Sequence, residues 1–372
     1  MSLVTVLALS LALHLYIGAR LVPQLPWPAG LALAALLLAS ALLVPTSLLA
    51  RRLLRPPASD RLTWAGMLCM GLFSSLLVLT FMRDLMLLVL GLANLDAPQW
   101  VELTAAGVPL LALALSLIGL INARRTAPVV RVTVPMEGLP RALEGLRIVQ
   151  ISDIHVGPTI KRDYLRRIVE RVNALEPDVV AITGDLVDGS VKELARHVAP
   201  LADLKSRHGS FFVTGNHEYY SGVHGWVEEL QRLGVRVLHN EHVVLRHQGA
   251  ELVLAGVPDH TGHHFDPQHR SDPEAALRGA PPGVPRVLLA HQPRTAPAAA
   301  AAGFDLQLSG HTHGGQFLPW SLFVPLQQPY TAGLHRLGRL WIYVSRGTGY
   351  WGPPKRIGAP SEIAELRLSS SG

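Results

Sequence analysis

The sequence contains a single cysteine, Cys69, and this scarcity excludes two kinds of structure. No intramolecular disulfide can form, and a metal site built from several thiolates is impossible. Charged residues are also few, at 16% of the 372 residues, whereas soluble globular proteins carry about 25%. Hydrophobic residues reach 49%, which excludes a disordered chain and argues against an ordinary soluble enzyme.

Lysine is absent from the first third of the chain. Residues 1–126 contain 8 arginines, no lysine and 4 acidic residues, so four of the six net positive charges lie there. The rest of the chain contains 25 basic and 23 acidic residues and is nearly neutral. Because the basic excess lies beside hydrophobic runs, membrane topology explains it better than a nucleic-acid surface does. We therefore expect the lipid bilayer as a partner and no nucleic acid.

Four apolar runs occupy the first third of the chain, at residues 3–17, 31–50, 64–82 and 105–121. A helix that crosses a bilayer needs about 20 mostly apolar residues, with about 17 as the lower limit. The first run is shorter and could also be the core of a signal peptide. It lacks a basic segment before it and a convincing cleavage site after it, so we predict a transmembrane region over residues 1–125 with about four helices.

Loop charges predict an orientation for these helices. The second loop and the segment after the fourth run are basic, with Arg51, Arg52, Arg55 and Arg61 in the former and Arg124 and Arg125 in the latter. The third loop has only the acids Asp96 and Glu102. Since basic loops remain cytoplasmic, we expect the large C-terminal part in the cytoplasm. Arg83 and Asp84 interrupt the third run. They could pair inside a helix bundle, but we favour a position at the membrane interface, where the helix ends.

Residues 126–145 are predicted to be a linker because prolines and a glycine interrupt them (Pro128, Pro135, Gly138 and Pro140). After this segment, short apolar strands alternate with amphipathic helices, and strands dominate later. Strands are predicted at 146–151, 178–183, 211–214, 235–238, 242–245, 252–257, 286–290, 305–308, 340–344 and 363–368. This order predicts an α/β sandwich of packed mixed sheets over residues 146–372.

Residues that bind metals recur where these strands end. Asp153 and His155 follow the first strand, Gly184-Asp185 the second, and Gly215-Asn216-His217-Glu218 the third; His291 and Gly310-His311-Thr312-His313 follow two later strands. In open α/β sheets, ligands bind outside the carboxyl ends of strands. Carboxylate, imidazole and carboxamide groups without thiolates suit Mn, Fe, Zn, Co or Ni. The set exceeds what one ion needs, so we expect two ions bridged by a shared carboxylate, with Asp185 as the best candidate.

The ordered motifs resemble those of the calcineurin-like metallophosphoesterase superfamily. The stretch Gly310-His311-Thr312-His313-Gly314-Gly315-Gln316, together with the hydrophobic N-terminal region, resembles its membrane-associated bacterial branch. This resemblance implies a four-layer α/β/β/α sandwich. It also implies two divalent metal ions, and hydrolysis of a phosphate ester or anhydride by in-line attack of water on phosphorus.

The resemblance also implies roles for individual residues. The first metal ion would be held by Asp153, His155, Asp185 and His313, and the second by Asp185, Asn216, His291 and His311. His217 would protonate the leaving oxygen or stabilise the charge that develops on the phosphorus centre. Taken singly, Asp153, Asp185 and Asn216 could instead cap helices. Asp188 could lie behind the ligands or in a turn, and Glu218 is expected to orient or cap rather than ligate.

Three further segments are open to more than one interpretation. Arg346 and Arg356 lie in or near a Gly- and aromatic-rich stretch that could line a substrate groove or form a solvated turn. Pro319, Trp320 and Phe323 could form an apolar lip facing the bilayer or pack in the core. A histidine cluster could form a third metal site or a lid over the substrate, although exposed loop histidines are more common (His260, His263, His264 and His269).

The sequence therefore predicts a membrane-anchored phosphohydrolase. Membrane tethering favours a phosphate-containing substrate in the membrane, such as a phospholipid or a lipid-linked nucleotide. Some relatives in the resembled branch cleave the pyrophosphate of UDP-diacylglucosamine. The alternatives are a metal-binding membrane scaffold or sensor without catalysis, a transporter with a regulatory domain, and a phosphodiesterase for soluble nucleotides or nucleic acid. The bacterial inner membrane is the expected location.

Overall fold

The computed structural model describes residues 3–95 and 97–370, so Asp96 of the predicted acidic loop lies outside the described residues. By internal packing the chain divides into two units. One, the helical unit, consists of residues 1–124 together with residues 352–357. The other, the sandwich unit, consists of residues 125–351 and 358–372.

The helical unit contains the apolar runs of the sequence. Its helices are α1 (Leu3–Leu21), α2 (Trp27–Leu48), α3 (Ala50–Leu53), α4 (Ala58–Leu92) and α5 (Pro98–Arg124). Within the described part of the chain, four helices are long and apolar enough to cross a membrane, namely all of these except α3. Three of the apolar runs each lie within one of the four, and the second run, 31–50, extends two residues beyond the end of α2. The prediction of about four long apolar helices therefore agrees with the structure.

Arg83 and Asp84 do not end a helix, because α4 continues to Leu92. The Arg83 guanidinium donates to Thr104 Oγ1 at 3.0 Å and to the carbonyl oxygen of Val101 at 3.0 Å, both in α5. Asp84 Oδ2 accepts a hydrogen bond from the Tyr16 hydroxyl at 2.8 Å. These two charges connect helices inside the unit, as in the alternative that the sequence left open.

The short segment 352–357 belongs to the helical unit although it is distant in sequence. The Lys355 ammonium donates to the carbonyl oxygen of Gly71 at 2.8 Å and also to Ser75 Oγ. A Cβ added to Gly119 would lie 2.6 Å from Lys355 Cγ, so the absence of a side chain there makes room for the lysine. The sequence gives no sign of this packing, because it joins residues more than 200 positions apart.

The sandwich unit contains mixed sheets. One sheet has the order β1-β12-β2-β3-β4-β5, with β1 at Val129–Met136, β2 at Arg147–Ile151, β3 at Val179–Ile182, β4 at Ser210–Phe212, β5 at Arg236–Val237 and β12 at Ile363–Ser370. The other has the order β10-β11-β9-β8-β7-β6, with β6 at Glu241–His247, β7 at Ala250–Gly256, β8 at Arg286–Leu289, β9 at Leu306–Ser309, β10 at Gly333–Leu337 and β11 at Leu340–Val344.

The predicted linker over residues 126–145 is corrected by the structure, because it contains strand β1. This strand pairs in parallel with β12, from Val129 opposite Ile363 to Met136 opposite Ser370. Pro135 suggested a break, but β1 is an edge strand, where a missing N–H donor is tolerated. The alternation of valines with polar residues was the stronger signal.

Apolar side chains from the two sheets meet in one core, which contains Ile148, Val179, Leu254, Val287 and Leu308. The helices of this unit are α6 (Arg162–Asn173), α7 (Val191–Val198), α8 (Asn216–Ser221), α9 (Val223–Arg232), α10 (Pro273–Ala276) and α11 (Ala296–Ala302). On the second sheet, α10 and α11 share an apolar cluster with residues of β8 and β11. The predicted fold class, an α/β/β/α sandwich preceded by a helical region, is confirmed.

Parallel pairing brings the candidate ligands together. Strands β2, β3 and β4 run parallel in one sheet, and β8 and β9 run parallel in the other. Their carboxyl ends therefore meet at one edge of the sandwich, where the metal-binding motifs follow them in the sequence.

Candidate metal centre

The structure brings six of the seven predicted ligands, all except Asn216, into neighbouring groups. Asp153, His155 and His313 each place one ligand atom within 4.8 Å of the others, and so do Asp185, His291 and His311. A further group at the same distance consists of His155, Asp185 and His217. Asp185 therefore lies between the two ligand groups, where the sequence placed the bridging carboxylate.

In two of the four predicted ligand imidazoles, a contact to the outer nitrogen fixes which nitrogen faces the centre. His291 Nδ1 is 2.8 Å from the carbonyl oxygen of Thr183, and His155 Nδ1 is 3.2 Å from Asp188 Oδ1. Both contacts leave Nε2 directed at the other ligands. Such partners fix the tautomer and the ring orientation of metal-binding histidines.

The spacing of these atoms fits bound metal ions. His155 Nε2 lies 3.1 Å from His313 Nε2, and His291 Nε2 lies 3.2 Å from Asp185 Oδ2. Ligand atoms that each lie about 2.0–2.2 Å from one ion are separated by roughly 3 to 3.5 Å. Among the described residues, Asn216 Oδ1 is buried without a hydrogen-bond partner, which is costly unless something else satisfies it. The residues therefore could hold metal ions.

Asp185 is the most constrained carboxylate of the centre. It is 2% exposed, and its Oδ1 accepts a hydrogen bond from the backbone N–H of His217 at 2.9 Å. Burial alone would raise the pKa of Asp185, but the charge and hydrogen bond of His291 outweigh burial and hold this pKa well below its usual range. Asp185 is therefore an anionic ligand at neutral pH.

His217 is held by Asp188, a residue whose role the sequence left open. His217 Nδ1 lies 2.5 Å from Asp188 Oδ1, the same oxygen that contacts His155. Burial alone would lower the pKa of His217, but this hydrogen bond and the charges of Asp185, Asp188 and Glu218 raise it to about 9. Asp188 thus orients a predicted ligand and the predicted catalytic histidine together.

Glu218 organises the backbone of two ligand segments, and it lies in no ligand group. Its carboxylate accepts hydrogen bonds from the backbone N–H groups of Asp185 at 3.0 Å, Leu186 at 2.8 Å and Gly215 at 2.7 Å. The expectation that Glu218 orients rather than ligates agrees with this geometry. By tying the segment after β3 to the start of α8, Glu218 fixes Asp185 relative to Asn216.

Five of the seven predicted ligands have a left-handed backbone conformation. The φ angles are +53° for Asp153, +56° for His155, +51° for Asp185, +71° for His311 and +51° for His313. Residues other than glycine rarely adopt such angles, and the strain costs about 1–3 kcal/mol each. Strained residues cluster at functional sites, so their concentration here is independent support for a site at this edge.

The predicted substrate contacts differ from expectation. Arg346 is partly buried, and its guanidinium Nε lies 2.7 Å from Glu362 Oε2 in an ion pair. Arg356 is fully buried in segment 352–357 of the helical unit, so its proposed role in binding substrate is incorrect. Gly349 from the same stretch serves close packing instead, because a Cβ there would lie 2.2 Å from the carbonyl oxygen of Ile154.

Exposed aromatic side chains surround His217. The His217 ring lies 5.3 Å from that of Tyr220 and 5.7 Å from that of Trp351, and these two side chains are 62% and 55% exposed. Phe265 lies 5.6 Å from Tyr220 and is also exposed. We call Tyr220, Phe265 and Trp351 the aromatic rim. The sequence indicated only Trp351 in a possible groove.

Comparison with known proteins identifies a family whose members resemble this chain. A family model described as "Calcineurin-like phosphoesterase" matches residues 146–315. A Danio rerio protein named "Transmembrane protein with metallophosphoesterase domain" is 44% identical over 265 residues, which cover 69% of this chain and 61% of that protein. A Helicobacter pylori protein named "Uncharacterized metallophosphoesterase" is 44% identical over 225 residues, or 60% of each chain. A protein of the same name from Aquifex aeolicus is 34% identical, over 64% of this chain and 91% of that protein.

The alignment therefore spans about three fifths of the first two relatives. The name of the Danio rerio relative describes a transmembrane protein, and this chain has apolar helices of sufficient length. Both observations identify a membrane protein.

Proposed function

The chain belongs to the calcineurin-like phosphoesterase family and is a metal-dependent phosphoesterase, and from this premise we propose a membrane-anchored, dinuclear-metal phosphohydrolase for lipid-linked substrates. It cleaves a phosphodiester or pyrophosphate bond. The substrate class is a phospholipid or a lipid-linked nucleotide such as UDP-diacylglucosamine.

The proposed metal sites use the groups described above. Two divalent ions, chosen among Mn, Fe, Zn, Co and Ni, are held by the following residues: Asp153, His155, Asp185 and His313 for one, and Asp185, Asn216, His291 and His311 for the other. Such ions, when bound, polarise phosphoryl oxygens and lower the pKa of water. The unpartnered oxygen of Asn216 and the central position of Asp185 support this assignment.

The protein itself supplies proton transfer and orientation. His217 Nε2 is the atom that donates a proton to the leaving oxygen, because Nδ1 is occupied by Asp188. A positioned histidine contributes about 10²–10⁴-fold as a general acid. Asp188 keeps the ring in place, and Glu218 keeps the segments on both sides of the centre at a fixed distance.

The single observation that carries the lipid proposal is exposed apolar surface beside the reacting groups. The aromatic rim borders His217, and the segment that follows His313 exposes Leu318, Trp320, Leu322, Phe323 and Leu326. Apolar patches of this kind mark binding sites for apolar ligands or membranes. A soluble nucleotide would not need them.

Matched substrates test the lipid proposal. Full-length protein in detergent is assayed with Mn²⁺ on a lipid-linked nucleotide and on the same nucleotide sugar without acyl chains. We expect at least a tenfold preference in kcat/KM for the acylated substrate, which corresponds to about 1.4 kcal/mol. Equal hydrolysis of both compounds would overturn the lipid proposal and leave the phosphohydrolase proposal intact.

The reaction class needs its own experiment. Bis(p-nitrophenyl) phosphate and p-nitrophenyl phosphate separate diester from monoester cleavage, and Asp185→Asn and His217→Ala are the matched variants. Loss of activity in both variants is expected. Turnover that persists in both, or absence of turnover in protein with bound metal on every substrate, would contradict the proposed phosphohydrolase.

We also propose that the sandwich unit faces the cytoplasm of a bacterial inner membrane. The support is the basic loop charge carried by Arg51, Arg52, Arg55, Arg124 and Arg125. C-terminal fusions to green fluorescent protein and to alkaline phosphatase are expected to be fluorescent and inactive, respectively. The reverse pattern would place the unit outside.

A further inference from the structure

A second group of metal-binding side chains lies outside the centre described above. His224, Asp266 and His269 each place one ligand atom within 4.8 Å of the others. The sequence suggested that His269 would group with neighbouring histidines of its own loop. The structure instead places it beside His224, at the start of α9, and Asp266.

The distances within this group match those of ligands around one ion. Asp266 Oδ2 lies 3.4 Å from His224 Nε2 and 3.7 Å from His269 Nε2. Tetrahedral zinc with bonds of about 2.0–2.2 Å separates its ligand atoms by roughly 3.4 Å. The ligand nitrogens of His224 and His269 lie within 4.8 Å of each other, so one ion could contact all three groups after small movements of the side chains.

The other atoms of the same side chains are already held by the protein. His269 Nδ1 lies 2.9 Å from the Tyr219 hydroxyl, and Asp266 Oδ1 accepts a hydrogen bond from the backbone N–H of Gln268 at 2.9 Å. The ring of His239 packs edge-on against that of His269, with centroids 4.1 Å apart. Protein contacts of this kind orient ligands toward a metal ion and strengthen its binding.

A simple surface ion pair explains this arrangement less well. Exposed ion pairs contribute about 0–1 kcal/mol to stability, and they do not require that the remaining polar atoms of the same side chains be hydrogen-bonded to the protein. Here the three side chains differ in solvent exposure, which is 70% for His224, 24% for Asp266 and 11% for His269. One side is open, so that an ion can enter and a water molecule can complete its coordination.

We propose that His224, Asp266 and His269 bind one divalent zinc ion that fastens their loop to α9. Two imidazoles and one carboxylate, with the fourth position open, are a known zinc donor set. The same loop begins near Asp259, whose carboxylate accepts hydrogen bonds from Gln292 Nε2 at 3.0 Å. Because Gln292 adjoins His291, the zinc ion stabilises one wall of the hydrolytic centre.

The experiment counts zinc in full-length protein whose hydrolytic centre is disabled in both ligand groups by Asp185→Asn, His155→Ala and His311→Ala. The protein is stripped with chelator and titrated with Zn²⁺ against a chromophoric competitor. We expect about one tightly bound zinc ion that His224→Ala removes. Tyr219→Phe, which removes the hydroxyl beside His269, is expected to weaken binding about tenfold.

A matched control removes two exposed histidines of the same loop, through His260→Ala and His264→Ala. This variant is expected to bind zinc as its parent does. An equal loss in the control, or no zinc bound by the parent, overturns the proposal and indicates adventitious binding only. The thermal midpoint gives a second readout: zinc is expected to raise it in the parent and not in His224→Ala, and equal shifts would also overturn the proposal.

Discussion

Replacing a metal ligand by glycine is expected to leave the metal-free protein more stable than replacing it by alanine. Asp185 and His313 suit this comparison because both have φ angles of +51°. Either substitution removes the same ligand group, so the difference between the two variants reports the backbone conformation. Inside helices and strands, by contrast, a glycine variant is usually less stable than the alanine variant.

The magnitude follows from the backbone angles. A left-handed conformation costs an L-residue about 1–2 kcal/mol, whereas glycine adopts it freely. Glycine also destabilises the folded state by roughly 0.5–1 kcal/mol relative to alanine, because the unfolded chain has more conformational freedom at glycine. The net advantage is about 1 kcal/mol at each position. For a domain of 150–250 residues this corresponds to about 2–4 °C in the thermal midpoint.

The assay is thermal unfolding of the full-length protein in detergent with excess chelator, followed by near-ultraviolet circular dichroism. Asn216 is the control position because it begins helix α8, where alanine is expected to be the more stable residue. If alanine equals or exceeds glycine at both Asp185 and His313, these residues do not carry the strain. The inference of a strained ligand set would then be refuted.

Three further predictions follow from contacts in the sandwich unit. Asp188→Asn weakens the hold on His155 and His217, so metal affinity and kcat are expected to fall about 10- to 100-fold, measured by metal analysis and turnover. Gly349→Ala places a Cβ 2.2 Å from the carbonyl oxygen of Ile154 and is expected to lower the thermal midpoint and the metal content together. Burial, together with the positive charge of a neighbouring histidine, lowers the pKa of His208 in the folded protein. As the pH falls below about 6.5, the unfolded chain therefore binds a proton at this histidine more readily than the folded protein does, and the free energy of unfolding decreases. His208→Gln is expected to flatten the decline of the midpoint below that pH.

Matched variants make these outcomes decisive. Asp163→Asn removes a highly exposed carboxylate from α6 and is expected to change neither metal affinity nor turnover. Gly225→Ala adds a Cβ with only an ordinary contact at 3.4 Å and is expected to be tolerated. For His208, the relevant neighbours are His247, Asp178 and Arg207, and an unchanged pH slope in His208→Gln would show that the slope arises elsewhere.

Local patterns predicted much of the fold, and contacts between distant segments account for what they missed. The strand predicted at 340–344 coincides with β11. The amphipathic helices predicted between the early strands include α6, whose apolar residues recur at helical spacing. The sequence does not predict strand β1, because Pro135 indicates a break and only pairing with β12 makes this segment a strand. Segment 352–357 has no local signal at all.

In the candidate site, too, local patterns predict some residues, whereas others depend on contacts between distant segments. The ligands could be found because each follows a strand and has the chemistry that a metal needs. The role of Asp188 stays open in the sequence, and the backbone groups that Glu218 orients cannot be named from it, since both depend on atoms that face these side chains from other segments. His224 carried no signal, because its partners Asp266 and His269 lie about 40 residues further along the chain.

The position of β12 has a consequence for how the protein is made. This strand lies between β1 and β2, yet the ribosome produces it about 200 residues after β2. At roughly 5–20 residues per second, the first sheet waits on the order of ten to forty seconds for an inner strand. During that interval β1 and β2 expose unpaired edges, which makes the nascent chain a substrate for chaperones. A ribosome that stops before residue 363 releases a chain whose first sheet cannot close.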